Sequence, residues 1–328
     1  MPSRPTIVVT DYKFPDLALE EEAAEQAGCA LIGHHCETEA ELQAAVAAAD
    51  AVITQFARLS APVIAAMTRA RAIVRYGIGV DNVDLDAARQ LGIPVSNIPD
   101  YCIDEVADHT LSFILAMTRQ VVTHTADLRA GHWRLAVPVS GMKVLRDQTV
   151  GLVGFGRIGR EVAARLSAFK CRVLVYDPMV SEAEILRAGG MSVPLQQLLS
   201  ASDIVSLHCP STPATRHIIG SVALAAMKPG ALLVNVARGD LVDTNALLVA
   251  LQNGHLGAAA LDVFDPEPLP LAHALRALPN LVIAPHIASV SVTAVQALRQ
   301  GAVARALAAV RGQLPDNVVN QIMSPRSI

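Results

Sequence analysis

The chain has 328 residues, more than one hydrophobic core usually serves, so two domains are expected. Hydrophobic residues make up 52% and aromatics 3%, a composition that suits aliphatic cores in buried parallel sheets covered by alanine-rich helices. The formal net charge of -4 offers no electrostatic basis for a nucleic-acid or anionic-lipid partner, which leaves small solutes as the expected ligands.

In chain order, MPSRPTIVVT opens on a short strand and lacks the long apolar run of a signal peptide or membrane span. A cytoplasmic protein is expected. Strand-like runs TIVV (6–9), CALI (29–32), AVIT (51–54), AIVR (72–75) and IPVS (93–96) alternate with helical patterns such as ELQAAVAAA (41–49). His34, His35 and Cys36 are adjacent and cannot all face one ion on a strand, so no metal site is expected there. Cys29, Cys36, Cys102, Cys171 and Cys209 are odd in number, widely spaced and without a CxxC pair, and are read as reduced thiols. A long helical pattern runs from about Ile103 into the 120s, followed by GHWRLAVPVSG (131–141), an irregular arm. A second series of strands follows: TVGLVG (149–154), RVLVYD (172–177), IVSLHC (204–209), ALLVNV (231–236), AAALDV (258–263) and LVIAP (281–285). One last alanine-rich helix spans roughly 291–311. Strands alternating with helices, twice over, indicate an α/β protein with two parallel sheets.

The strongest local motif is GLVGFGRIGREVAARL (151–166), which places Gly154, Gly156 and Gly159 as GxGxxG between a strand and a helix. Such glycines serve a tight turn, close backbone approach to a pyrophosphate and close helix packing, in that order. The helix opened by Arg157 and Ile158 then presents unpaired N–H groups and a positive dipole end to phosphates. Asp177 ends the next strand 18 residues after Gly159, near the spacing of a carboxylate that accepts the adenosine ribose hydroxyls. An acid there repels a 2'-phosphate, and Pro178 and Met179 supply no arginine, so NAD is favoured over NADP.

Arg238, Glu267 and His286 each follow the end of a later strand, and open α/β sheets bind ligands beyond the carboxyl ends of their strands. Hydride transfer to a ketone builds negative charge on the carbonyl oxygen, which calls for a cation to polarise it and an acid to protonate it. Arg238 and His286 fit those roles, and Glu267 fits as acceptor for the other imidazole N–H. Singly each would be an ordinary surface residue; together, downstream of a dinucleotide fingerprint, they point to catalysis. Arg238-Gly239-Asp240 spells an adhesion tripeptide, but at a buried strand's mouth the charge is read as facing a ligand, with Gly239 giving the backbone room to turn.

The stretches RYGIGVDNVD (75–84), GLVGFGRIG (151–159), SLHCPSTPATRHII (206–219), MKPGALLVNVARGDLVD (227–243), GAAALDVFDPEP (257–268) and NLVIAPHIAS (280–289) resemble, in order, the D-isomer-specific 2-hydroxyacid dehydrogenases. The resemblance covers nearly the whole chain. It implies two doubly wound parallel-sheet domains: a Rossmann NAD domain, 102–289, inserted in a smaller flavodoxin-like substrate domain of 1–101 plus 290–328. It further implies that Arg238 binds substrate carboxylate and carbonyl oxygen, that His286 is the general acid/base and that Glu267 pairs with it. Backbone amides of Ile78 and Gly79 would hold the substrate carboxylate, Asp262 the nicotinamide carboxamide, and Val106 would pack near the nicotinamide ring. Cys209, Pro210 and Thr215 would line the adenosine and phosphate side, with Ala237 and Ala288 as further cofactor contacts. Domain closure about two crossings would exclude water from the hydride path, and the helix from Ile103 with the arm around Trp133 would form a homodimer.

Tyr101 aligns with a position that touches substrate in relatives, and Arg75 suits either a second anionic group or a plain surface charge. Hydroxypyruvate, glyoxylate and related small 2-keto acids, and a phosphoglycerate-like 2-hydroxy acid, all stay open. The chain ends at Ile328 with no added regulatory domain, so amino-acid feedback is not expected. Ile287-Ala288-Ser289 departs from the small pairs that follow the histidine in many relatives and would reshape the pocket wall. AIVRYGIGVDNVD and DEVADHTLSFILAMTR are also similar to the C-terminal-binding-protein branch of NAD-sensing corepressors, whose tryptophan after the histidine is missing here. A binding protein of that kind, or a dehydrogenase of phosphite or formate, is the alternative.

Overall fold

The computed structural model describes residues 4–326. The chain divides into two compact units, one of Met1–Tyr101 with Ser291–Ile328 and one of Cys102–Val290.

In the first unit β1 (Thr6–Val9), β2 (Ala30–Gly33), β3 (Ala51–Thr54), β4 (Ile73–Arg75) and β5 (Val95–Ser96) form a parallel sheet in the order β2-β1-β3-β4-β5. That is the flavodoxin-like order. Strand periodicity divides the apolar side chains between two faces. Ile7, Val9, Ile53, Val74 and Tyr76 pack with Leu298, Ala302 and Ala306 of the helix Val292–Val310, while Val8, Val52 and Ile73 pack with Val46, Val63, Ile64 and Ala88. Each buried Val, Leu or Ile among them contributes about 1.5–3 kcal/mol by leaving water. Ala302 and Ala306, four apart, lie on one face of their helix, and small side chains there let it approach the strands closely. The exposed edge of β5 is covered by the chain's last segment: Asn320 accepts from Val95 N–H and donates to Ile93 O, and Ser96 Oγ donates to Asp316 O.

In the second unit β6 (Thr149–Val153), β7 (Arg172–Tyr176), β8 (Met191–Ser192), β9 (Ile204–Leu207), β10 (Ala231–Asn235), β11 (Leu256–Leu261) and β12 (Leu281–Ile283) form a parallel sheet. Its order is β12-β11-β10-β9-β6-β7-β8. The winding reverses between β6 and β9, which makes the carboxyl ends of those two strands the topological switch point. The core here mixes Leu207, Leu233, Leu247, Leu251 and Leu261 with small residues such as Ala259.

Two features differ from the sequence reading. The long helix breaks at Gln120, which has a left-handed φ of 54°, into Ile103–Thr118 and Val121–Arg129. The reason is a distant bond, since Thr118 O accepts from Lys143 N–H instead of a residue further along a helix. Strand β8, two residues long, escaped notice because it is too short to show a period and is defined by its pairing with β7.

Candidate active site

The turn from β6 into the helix Arg157–Ala168 shows why three glycines stand there. Gly154 has φ +99°, and a Cβ on it would lie 2.5 Å from Cys209 N. A Cβ on Gly159 would lie 2.5 Å from Gly154 O, so the helix packs directly on the turn. Gly156 differs, because a Cβ there would meet nothing within 4 Å. Its open side is next to the start of a helix that has no side-chain cap and no acidic residue in its first turn. Exposed Arg157 stands at that positive end, against the usual dipole preference, an arrangement that suits a bound anion. Asp177 Oδ2 accepts from Phe155 N–H at 2.7 Å and Oδ1 from Met179 N–H at 2.8 Å, so the acid at the tip of β7 borders the turn. Cys209 and Pro210 follow β9 beside it, and Thr215 Oγ1 donates to Pro210 O at 2.7 Å. These residues fit a dinucleotide: an open cradle, uncapped helix amides and a carboxylate at the next strand end. Burial, with the charges of Asp177 and Asp240, pushes the Cys209 thiol up to about 11, so it is a wall and not a nucleophile.

Arg238, Glu267 and His286 follow β10, β11 and β12, three neighbours in the sheet. Asn235 ends β10 buried, accepts from Ala237 N–H and donates to Arg238 O, which fixes the turn that carries the arginine. Arg238 Nη1 donates to Ala237 O at 2.8 Å. A Cβ on Gly239 would lie 1.9 Å from Phe264 O. Glycine is therefore needed for close approach of the loop that carries Glu267, which sharpens the expectation of room to turn.

His286 Nδ1 and Glu267 Oε1 are 2.5 Å apart, and Glu267 Oε2 accepts from Phe264 N–H. Burial alone would raise the Glu267 carboxyl. The hydrogen bond and charge of His286, the Phe264 N–H and the charge of Arg238 outweigh burial and hold it below the ordinary carboxylate value. His286 has a left-handed φ of 57°. Fully buried Asp262 holds that bend, since its carbonyl accepts from His286 N–H and its two carboxylate oxygens accept from Ile287 and Ala288 N–H, each at 2.8 Å. Each oxygen keeps a further lone pair for a ligand. His109 Nε2, on the helix that also carries buried Val106, lies 3.8 Å from Asp262 Oδ1.

In the other unit, Ile78 and Gly79 follow β4. Ile98 N–H donates to Gly77 O and Asn97 Nδ2 donates to Ile78 O. In a trans peptide the N–H points opposite its C=O, so the amide of Ile78 points away from Ile98 N–H and that of Gly79 away from the Asn97 side chain. Arg75, only 8% exposed, lies with Nη1 1.4 Å from where a Cβ on Gly77 would be. It is packed against the loop, so it is not a plain surface charge. Tyr101 packs at the edge of this unit's apolar core.

Sequence reasoning missed Asn235 and His109. Asn235 fixes the backbone of the turn and His109 lies beside a buried carboxylate, and a short polar residue closing a strand was the available signal for Asn235.

A family model described as "D-isomer specific 2-hydroxyacid dehydrogenase, NAD binding domain" matches residues 111–288. The chain is 39% identical over 268 residues to a glyoxylate reductase of Thermofilum pendens, covering 80% of this chain and 79% of that protein. It is 42% identical over 248 residues to a D-3-phosphoglycerate dehydrogenase of Mycobacterium leprae, covering 75% of this chain and 46% of that protein. The chain thus spans about half the length of the phosphoglycerate dehydrogenases it matches. Among solved structures, an NADPH-dependent glyoxylate/hydroxypyruvate reductase of Sinorhizobium meliloti, in complex with NADP and malonate, superposes with TM-score 0.88 at 30% identity, over 99% of this chain and 100% of that one. With the NAD-binding domain matched over more than half of its length and a full-length structural counterpart, the chain belongs to the D-isomer-specific 2-hydroxyacid dehydrogenase family.

Proposed function

We propose that the protein is an NAD-dependent reductase of small 2-keto acids and, in reverse, a dehydrogenase of D-2-hydroxy acids. The observation that carries the reading is the 2.5 Å His286–Glu267 pair on strand ends next to the one that presents Arg238. When bound, NADH supplies the hydride. Arg238 polarises the substrate carbonyl and pairs with its carboxylate; the amides of Ile78 and Gly79 are proposed as binders of a substrate carboxylate. His286 gives the proton to the nascent alkoxide, while Glu267 holds Nδ1–H and stabilises the imidazolium until the proton leaves.

For the cofactor, Gly154, Gly156 and Gly159 with the amides of Arg157 and Ile158 serve the pyrophosphate, and Asp177 the adenosine ribose. Cys209, Pro210, Thr215 and Ala237 line its path, and Val106, Asp262 and Ala288 the nicotinamide side. Asp177 favours NAD over NADP, in contrast to the NADPH-dependent reductase above. Met1–Tyr101 with Ser291–Ile328 acts as the substrate domain and Cys102–Val290 as the NAD domain. A cytoplasmic homodimer formed through the helix Ile103–Thr118 and the arm around Trp133 completes the reading; Trp133 is 91% exposed in the single chain. Among the described residues no helix is long and apolar enough to cross a membrane.

The test is Arg238→Lys. Turnover of glyoxylate or hydroxypyruvate should fall by about 10²–10³-fold with NADH binding by fluorescence titration intact. Unchanged turnover would sink the assignment.

A further inference from the structure

Glu20 is fully buried in a cluster of aliphatic and aromatic side chains, where an apolar residue would pack more simply. It is paired there, because Arg299 Nε lies 2.9 and 3.1 Å from its two oxygens and Nη2 lies 2.6 Å from Oε2. Arg299 also donates to Asp16 O at 2.9 Å and stacks its guanidinium over Phe14 at 5.1 Å. A buried pair of this kind adds little net stability compared with well-packed apolar side chains of similar volume. What it provides is a fixed acceptor, and Tyr76 uses it: the phenol donates to Glu20 Oε1 at 2.9 Å, with Phe14 edge-on at 5.2 Å.

Tyr76 is the residue between Arg75, the end of β4, and Gly77. Its backbone N–H donates to Thr54 O of the neighbouring strand, and its side chain is 1% exposed. The loop beyond is therefore held twice, by Asn97 and Ile98 on its carbonyls and by the Tyr76 phenol at its root.

We infer that Tyr76 is a positioning residue for the substrate carboxylate, anchoring the Ile78–Gly79 amide pair through the buried Glu20–Arg299 ion pair to the helix Val292–Val310. Tyr76 touches no substrate; it sets where the two N–H groups point. Loss of its hydroxyl lets the loop root shift, which weakens recognition of the carboxylate without altering hydride donor or proton donor. The inference rests on the proposed role of Ile78 and Gly79.

Its test is Tyr76→Phe in steady-state glyoxylate reduction, with hydroxypyruvate in parallel and oxamate as a non-reducible carboxylate probe. The KM for keto acid and the inhibition constant of oxamate should each rise about tenfold, as expected if the displaced loop gives up one amide hydrogen bond to the charged carboxylate. Turnover number should change by less than about threefold and NADH affinity by fluorescence should hold. Arg299→Lys, which keeps the charge but loses the fork, should shift the same two constants in the same direction, and it decides the matter if the tyrosine variant does not fold. Unchanged KM and oxamate inhibition in a folded variant overturn the inference while leaving the proposed activity standing. Failure of both variants to fold would assign the network to stability alone and overturn it too. If the unaltered protein reduces neither acid, the reading beneath the inference fails instead.

Discussion

A histidine that must release a proton in one direction and take it up in the other needs one tautomer and one orientation. The bond from His286 Nδ1 to Glu267 supplies both, and the Asp262 contacts hold the left-handed bend that aims the ring, a conformation costing about 1–3 kcal/mol for a residue other than glycine. Glu267, held below the ordinary carboxylate value, is an anion across the neutral range. Glu267→Gln keeps an acceptor oxygen but removes that charge. The protonated ring then loses the anion that faces it, so keto-acid turnover should fall by about tenfold or more. Unchanged turnover in the folded variant would contradict the pairing. The placement of the three charged residues was legible in the sequence because each follows an apolar strand-like run. Asn235 and the bracing role of Asp262 were not, because their work is to satisfy backbone groups whose positions only the folded chain defines.

At the scale of the element, the glycine turn makes a split prediction. Gly156→Ala adds a methyl to open space where the cofactor is proposed to lie, so it should weaken NADH binding by tenfold or more at nearly unchanged Tm; Gly159→Ala meets Gly154 O at 2.5 Å and should destabilise the unit by about 1–3 kcal/mol. Equal losses of binding and Tm in both variants, by fluorescence titration and thermal melting, would refute the distinction. At the end of β9, burial pushes His208 down to about 4 from 6.5, and Ser206 Oγ meets its Nε2 at 2.9 Å. The folded state keeps this ring neutral while the unfolded chain takes a proton below pH 6.5. Its contribution is thus complete above pH 6.5 and lost as pH falls toward 4, by about 3 kcal/mol. His208→Gln should flatten that decline in urea unfolding between pH 6.5 and 4.5, and parallel curves would argue against it. The glycine motif was fully legible, since its residue types follow from backbone geometry. The break at Gln120 was not, because the bond from Lys143 that ends the helix spans 25 residues.

At the scale of the whole molecule, alternating strands and helices announced two parallel sheets, and the order of strands in each followed only from the pairing that the structure reports. The chain passes between its units twice, near Tyr101 and near Val290, and the last segment returns to cover β5. Val121, Val122, Leu128, Trp133, Leu135 and Val139 are all exposed large apolar side chains on the arm and its flanking helix. Sedimentation should therefore give twice the chain mass, and Trp133→Asp should shift it toward the monomer with NADH affinity retained; a monomeric unaltered protein would remove the dimer from the account. The central claim, hydride transfer to a 2-keto acid, is tested most directly by following NADH oxidation against a panel of glyoxylate, hydroxypyruvate and larger 2-keto acids, with chiral analysis of the product from a prochiral acid. The account predicts NADH consumption matched by formation of the D-2-hydroxy acid, and NADH that binds but is not oxidised by any acid of the panel would contradict it.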